Sequence, residues 1–337
     1  MALFDLPLDR LREYRPPVDE AADLDDFWAT TVADARHPAV LVDVAPVHTG
    51  LVTVRTWDVT FAGFDGHPVR AWYTRPATAE DDDALPAVVE YVGYGRGRGL
   101  PQERLTWASA GYAHLLMDTR GQGAQYGSGG STPDPVGSGP AAPGFVTRGI
   151  TDPATAYYRR LFTDGVRAVD AVRALPGADS TRTAVVGNSQ GGGVALAVAG
   201  LVPDLAAVMP SAPFLAHVGR ALDLTDADPY GELVRYLAVH RDAEPAVRRT
   251  LSYLDVLHLA RRARADLLLG VGLRDTICPP STAFATFNRY GELAGDHVPH
   301  KEVAVYPFNH HEGGEAVHVD RQLRWLDARL RQGVAVG

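Results

Sequence analysis

One cysteine in 337 residues, Cys278, leaves no pair for an intrachain disulfide. Such a chain must be held by packing and hydrogen bonding, and its cysteine usage suits a reducing compartment. Lys and Arg nowhere form a block, and the formal net charge is −9. The basic patch by which proteins grip nucleic acid or an anionic membrane surface is therefore missing, and neither is expected as a partner. No apolar stretch is long enough to span a bilayer. The opening Met1-Ala2-Leu3-Phe4-Asp5-Leu6-Pro7 lacks the basic-then-apolar order of a signal peptide, so the cytoplasm is the expected location. Metal motifs are absent as well, with no His-Glu-x-x-His and no paired cysteines. His310-His311-Glu312 are adjacent loop residues, which rarely converge on one ion. Gly-x-Gly-x-x-Gly is met in no register between Gly93 and Gly99, which argues against a dinucleotide loop. Neither a metal nor another cofactor is expected.

What is there is an ordinary globular composition, 46% hydrophobic and 22% charged. The length permits one large α/β domain or two smaller ones, with a substantial core either way; a single domain over 1–337 is expected. Residues 1–40 do not read as sheet. Asp23 is placed to cap a helix carrying Phe27 and Trp28, two aromatics expected to dock this extension on the main domain. Leu51–Phe61 and Pro68–Tyr73 alternate apolar and polar residues around Asp65-Gly66 and predict an antiparallel hairpin.

Short, nearly continuous apolar runs follow at 86–92, 113–118, 183–186, 206–209, 267–271 and 302–306. Helical stretches separate them at 103–110, 161–175, 192–201 and 281–293, and one at 316–330 closes the chain. Alternating strands and helices predict an α/β fold with a mostly parallel, eight-stranded sheet covered on both faces. Two segments interrupt it. Residues 121–149 are rich in Gly, Pro and Ser without hydrophobic period, the mark of a functional or interface loop. Residues 214–263 read as helices inserted between two strands, in the position of a lid. The acidic run Glu80–Asp83 reads as a solvated loop.

The chemistry centres on Gly187-Asn188-Ser189-Gln190-Gly191, which follows an apolar strand and opens an alanine-rich helix. Strand, sharp turn and helix is the context of a nucleophile elbow, with Ser189 as nucleophile. An activated serine needs a base and a group that orients the base, in the chain order Ser, acid, His. Asp275 stands just past the strand 267–271, and His310 and His311 just past 302–306. The alternative for Asp275, capping a helix from Ser281, is disfavoured by the intervening Pro279-Pro280. Spacing does not choose between the two histidines. Backbone N–H groups of Gln190 and of Tyr94, in the loop after an early strand, are candidates for an oxyanion hole. Pro213 and Phe214 after one strand, and Ile277 with Pro279 and Pro280 after another, are candidate substrate-binding residues that would make the acyl pocket shallow.

These motifs resemble the acetyl xylan esterase/cephalosporin C deacetylase group, carbohydrate esterase family 7, along nearly the whole chain. Phe4-Asp5-Leu6-Pro7-Leu8 and Phe27-Trp28 resemble its N-terminal segment, and Gly93-Tyr94 its oxyanion loop. Asp118-Thr119-Arg120-Gly121-Gln122-Gly123 resembles its Arg-Gly-Gln motif, while Tyr157-Tyr158-Arg159-Arg160 with Asp164 resembles a further segment. The elbow and His311-Glu312 complete the likeness. The resemblance implies an α/β-hydrolase fold and makes His311 the base. It implies deacetylation of small esters on sugars and cephalosporins. It also implies a doughnut-shaped homo-hexamer, with 121–149 as the interface insertion. Val92 stands where the family commonly has His. Arg120, after a strand, is expected to be a buried anchor paired with a carboxylate. Two other readings share the fold: a peptidase of the prolyl-oligopeptidase type and a non-catalytic binding protein.

Overall fold

Strands form where β-branched and aromatic residues recur, and helices where small or straight-chain residues carry an apolar face. The computed structural model describes residues 4–137 and 139–331. Nine strands build one sheet among the described residues: β1 (Leu41–Val47), β2 (Val54–Ala62), β3 (Pro68–Pro76), β4 (Leu85–Tyr91), β5 (Ala113–Met117), β6 (Ala178–Asn188), β7 (Ala207–Ser211), β8 (Asp266–Gly272) and β9 (Lys301–Tyr306). Their spatial order is β1-β2-β3-β5-β4-β6-β7-β8-β9. β1 to β3 run antiparallel to their neighbours because short turns join them, and β3 pairs antiparallel with β5. Every later pairing is parallel. Those strands are joined by long crossovers, which parallel pairing requires.

The sheet thus has one strand more than the sequence predicted. β1 escaped notice because its outward positions are themselves apolar, with Val42 and Val44 exposed, and because Pro46 interrupts the run. It is an edge strand, where a proline is tolerated. The helix predicted at 103–110 shrinks to Thr106–Ser109. Glu103 instead accepts the Leu100 N–H at 2.9 Å and pairs with Arg96 at 2.7 Å, which holds 100–103 as a turn. Asp23 occupies the N-cap position of the helix Leu24–Ala35, yet its carboxylate caps nothing. It accepts the Tyr253 hydroxyl at 2.5 Å. Trp28 is buried in the same contact and donates its indole N–H to the Tyr253 carbonyl at 2.9 Å.

Both faces of the sheet are covered. On one, the helices Tyr157–Ala174 and Gln190–Leu201 bury Phe162, Val166, Val169 and Val198. On the other, Thr106–Ser109 and Glu315–Leu330 bury Trp107, Trp325 and Leu326. Residues 214–263 form four helices, Val218–Leu224, Tyr230–Val239, Glu244–Leu254 and Val256–Ala260. β4 lies between β5, which follows it, and β6, which lies on its other side. The connections diverge there, and the carboxyl ends of strands at such a switch point leave a crevice for ligands.

Arg120, just past β5, has no exposure at all. Its Nη2 and Nε donate to the two oxygens of Asp164 at 2.7 and 2.5 Å. Asp134, from the long 121–149 loop, accepts from Arg160 at 2.9 Å and from Arg120 at 3.4 Å. A buried guanidinium deprived of its carboxylate is left uncompensated, which typically costs about 3–5 kcal/mol. Asp164→Ala is therefore expected to lower unfolding stability by about that amount in urea titration. A midpoint equal to that of the parent would show that the pair holds nothing together.

Candidate active site

β6 runs apolar to Gly187-Asn188, and Ser189 follows at φ 58° and ψ −121°. Residues with a Cβ rarely adopt that region, and it persists only where the surroundings impose it. Here they do so by close approach. A Cβ on Gly187 would stand 2.2 Å from the carbonyl carbon of Gly191. One on Gly191 would stand 2.1 Å from the Tyr91 carbonyl oxygen at the end of β4. Ser189 is pinned on both sides of its own α-carbon. Its N–H donates to the Ser211 carbonyl at 2.9 Å, and its carbonyl accepts the Phe214 N–H at 3.0 Å.

Asp275 is 1% exposed in the turn after β8. Its Oδ2 lies 2.8 Å from His311 Nδ1. Its Oδ1 accepts the N–H groups of Ile277 and Cys278, each at 2.8 Å. The helix Pro280–Arg289 is served by another acid, since Asp5 accepts the Ser281 N–H at 2.7 Å. His310 turns away from Asp275. Its Nε2 lies 2.6 Å from the Thr276 hydroxyl. Of the two histidines, the structure therefore brings His311 to the acid.

Ser189 and His311 line one cavity of about 690 Å³. Among the described residues no hydrogen bond joins the Ser189 hydroxyl to the His311 ring. Such contacts are commonly long before substrate binds. Among the described residues, the backbone N–H groups of Tyr94 and Gln190 find no hydrogen-bond acceptor. Gln190 opens the helix Gln190–Leu201, whose first N–H groups have no intrahelical acceptor. No group of three His, Cys, Asp or Glu among the described residues is arranged to hold a metal ion.

With this geometry in hand, the whole chain can be set beside known proteins. The family model for acetyl xylan esterase (AXE1) matches residues 1–329. The chain belongs to the acetyl xylan esterase family. Among solved structures it is similar to an acetyl xylan esterase from a Paenibacillus species, with 37% identity, TM-score 0.89, and coverage of 96% of this chain and 100% of that one. Acetyl xylan esterase 1 from a Thermoanaerobacterium species is 31% identical at TM-score 0.84, with 96% of this chain and 98% of that one covered. The acetyl esterase Axe7A of Xylanibacter ruminicola is 24% identical over 321 residues, which are 94% of this chain and 69% of that protein. The chain is accordingly a carboxylic ester hydrolase with the α/β-hydrolase fold.

Not every residue expected to line the esterase's cavity does so. Ile277 does. Pro213 and Phe214 do not, because both are buried below the elbow. The Phe214 ring packs 4.6 Å from Tyr230 and 5.9 Å from Tyr158, so it supports the floor rather than touching the cavity. The 121–149 segment supplies wall residues instead, among them Tyr126, Pro143 and Gly144.

Three further residues shape the site, and the sequence reading gave none of them a role. Asp118 accepts N–H groups from Arg98 at 2.8 Å, Ser131 at 2.6 Å and Thr132 at 2.9 Å, folding two loops around one carboxylate. Gln122 accepts the Gly95 N–H at 2.7 Å and donates to the Gln190 side chain at 2.9 Å, joining the Tyr94 loop to the elbow. Glu232, on the inserted helix Tyr230–Val239, accepts the Tyr94 hydroxyl at 2.5 Å and the Val146 N–H at 3.0 Å. Burial pushes the Glu232 carboxyl above the usual carboxylate range, against these hydrogen bonds, which pull it down. Burial and the facing Glu232 push the Tyr94 phenol upward, so it stays a donor. Asp118 and Gln122 lie inside the Arg-Gly-Gln motif, which was the available signal; Glu232 had none.

The elbow's lack of space makes a sharp test. Gly191→Ala puts a methyl where the Tyr91 carbonyl stands, and the elbow must open. A displacement near 1 Å at a reacting group costs on the order of 100-fold. Gly191→Ala is expected to lose at least that in kcat/KM for p-nitrophenyl acetate. Parental activity in this variant would show that the close approach does not position Ser189.

Proposed function

We propose that the esterase removes acetyl groups from acetylated xylo-oligosaccharides and comparable small esters, cephalosporin C included, through an acetyl-enzyme on Ser189. The observation that carries the reading is His311, bonded to buried Asp275, lining the same cavity as a serine held at the tip of the elbow. Asp275 holds His311 with Nδ1 toward it, which leaves Nε2 for the serine proton. Ser189 Oγ attacks the acetyl carbonyl, and the tetrahedral oxyanion is stabilised by the N–H groups of Tyr94 and Gln190. The imidazolium returns its proton to the departing sugar oxygen. Water activated by His311 then attacks the acetyl carbon and releases acetate. The sequence of steps needs no cofactor.

Support for the substrate comes from the names of the relatives, both solved structures being acetyl xylan esterases that match nearly the full chain. The assembly expected is a closed homo-oligomer, a hexamer by the resemblance. The 121–149 segment that would form its interface also contributes Tyr126 and Pro143 to the cavity, so assembly and site shape would be linked. Light scattering that returned one chain mass at working concentration would overturn this assembly.

Ser189→Ala and His311→Ala are expected to lose several orders of magnitude in kcat while staying folded, as loss of a triad member does. His310→Ala, which removes only the contact to Thr276, should keep most activity. The reverse pattern would make His310 the base. Labelling of Ser189 by an organophosphate would set aside a non-catalytic role, and hydrolysis of peptide amides would favour a peptidase.

A strong preference for acetyl over longer acyl groups is also expected. A methylene that fits an acyl pocket gains about 0.8 kcal/mol, whereas one that does not costs roughly 1–3 kcal/mol. With Ile277 and Val92 in the wall, p-nitrophenyl acetate should exceed butyrate and octanoate in kcat/KM. A steady rise toward octanoate would mean a deep apolar channel and end the deacetylase reading.

A further inference from the structure

Arg96, Arg104 and Arg235 line the catalytic cavity. Arg235 is exposed and is met within the inserted segment by Asp228 at 2.7 Å. Arg96 and Arg104 stand elsewhere, Arg96 in the loop after β4 and Arg104 just before the helix Thr106–Ser109. Both also line a neighbouring cavity of about 490 Å³, so open space lies on two sides of them.

Each of the two commits one nitrogen to a glutamate. Arg96 Nη2 donates to Glu103 at 2.7 Å, and Arg104 Nη1 donates to Glu90. A guanidinium carries five N–H donors, so each keeps donors in reserve. Those donors are within reach of a ligand. The side chains of Arg96 and Arg104 are 22% and 33% exposed, and the buried, partnerless nitrogens among the described residues include none of theirs. The glutamates are themselves shared. Glu103 accepts the Leu100 N–H at 2.9 Å, and the second oxygen of Glu90 lies 3.1 Å from His114 Nε2. Arg120 shows one guanidinium of this protein serving two carboxylates.

Tyr126 marks where the two cations act. Its ring is half exposed in the cavity lining, with the Arg96 guanidinium 5.9 Å from its centroid. A Cβ on Gly93 would stand 2.9 Å from the Tyr126 hydroxyl, which puts that hydroxyl beside the oxyanion loop. Burial raises the Tyr126 phenol, and Arg96 and Arg104 both pull it down, so both cations are felt at that hydroxyl.

The carboxylates that line the catalytic cavity are engaged. Glu232 accepts the Tyr94 hydroxyl and the N–H groups of Phe145 and Val146, while Asp228 is held by Arg235. What the wall has in surplus is forked N–H donors carrying positive charge, and a planar carboxylate is the group they fit. An acetyl group has no charge to offer, so the carboxylate must belong to the alcohol part of the ester.

We infer that Arg96 and Arg104 form a carboxylate-binding edge of the catalytic cavity beside the Tyr126 hydroxyl, so that the ester acted on best bears a carboxylate on its alcohol part. The inference rests on the reading of Ser189 as the residue that takes the acetyl group, and it ranks acidic acetyl esters above neutral ones.

The test compares meta-acetoxybenzoate with its uncharged isostere meta-acetoxybenzamide. The readout is the ratio of their kcat/KM values, acid over amide, in the parent, Arg96→Gln and Arg104→Gln. Intrinsic reactivity of the two esters cancels when ratios are compared between variants. The ratio should fall roughly tenfold in each variant, about the worth of one charge-assisted hydrogen bond. In the parent, about 1 M NaCl, which shortens the screening length to roughly 3 Å, should lower it as well. Arg104→Gln uncovers the buried Glu90, whereas Arg96→Gln leaves Glu103 exposed and still bonded to the Leu100 N–H. Should Arg104→Gln fail to fold, Arg96→Gln therefore decides. A ratio unchanged by Arg96→Gln, with Ser189→Ala inactive on both esters, overturns the edge and leaves the catalytic reading standing. Turnover of both esters by Ser189→Ala at the parental rate overturns that reading and the edge with it.

Discussion

The close approach of three backbone segments at the end of β6 is the constraint on which the site depends. Gly187, Gly191 and the Tyr91 carbonyl leave no volume for a side chain between them. The chain can pass only by turning sharply at Ser189, at positive φ. The strain is sustained because the flanking stretches are buried, Thr183–Gly187 of β6 in the sheet centre and Gln190–Ala199 of the helix beneath it. The same turn leaves the Gln190 N–H without an acceptor. The strained Ser189 and the free Gln190 N–H, the candidate nucleophile and oxyanion donor, are thus two consequences of one packing contact.

The loops above the elbow are held by polar side chains in place of regular structure. Asp118 gathers the backbone of 98, 131 and 132. Gln122 ties Gly95 to Gln190, and Glu232 ties Tyr94 to Val146. Each is a buried side chain with most of its capacity used, the condition under which a polar network rigidifies a site rather than weakening it. Arg120, Asp164, Asp134 and Arg160 do the same one layer lower. A serine on a rigid turn and an oxyanion loop locked to it are the preorganised arrangement that acyl transfer requires.

Much of this was legible in the residues. Alternation marked β2 and β3, and apolar runs marked the six strands β4 to β9, because burial on both faces makes central strands continuously apolar. Gly187-Asn188-Ser189-Gln190-Gly191 marked the elbow because only glycine tolerates that proximity. Asp275 was legible from its place after a strand. The exposed edge strand β1 was not, since packing does not impose a pattern on it. Nor was the split between Phe214 and Ile277: both follow strands, and only the burial of Phe214 against Tyr158 and Tyr230 removes it from the cavity.

By itself the sequence determined the α/β order and pointed to Ser189 and Asp275 as candidates, because these rest on local periodicity and on chain order along the sheet. Spacing left the two adjacent histidines open and only the resemblance named His311; the tertiary structure brings His311 to Asp275 and His310 to Thr276, since neighbouring side chains on a loop point to different sides. It also decided that Glu232, 138 residues from Tyr94, holds that residue's hydroxyl. Contacts of that kind depend on how helices far apart in the chain settle on the sheet, and no local pattern encodes them.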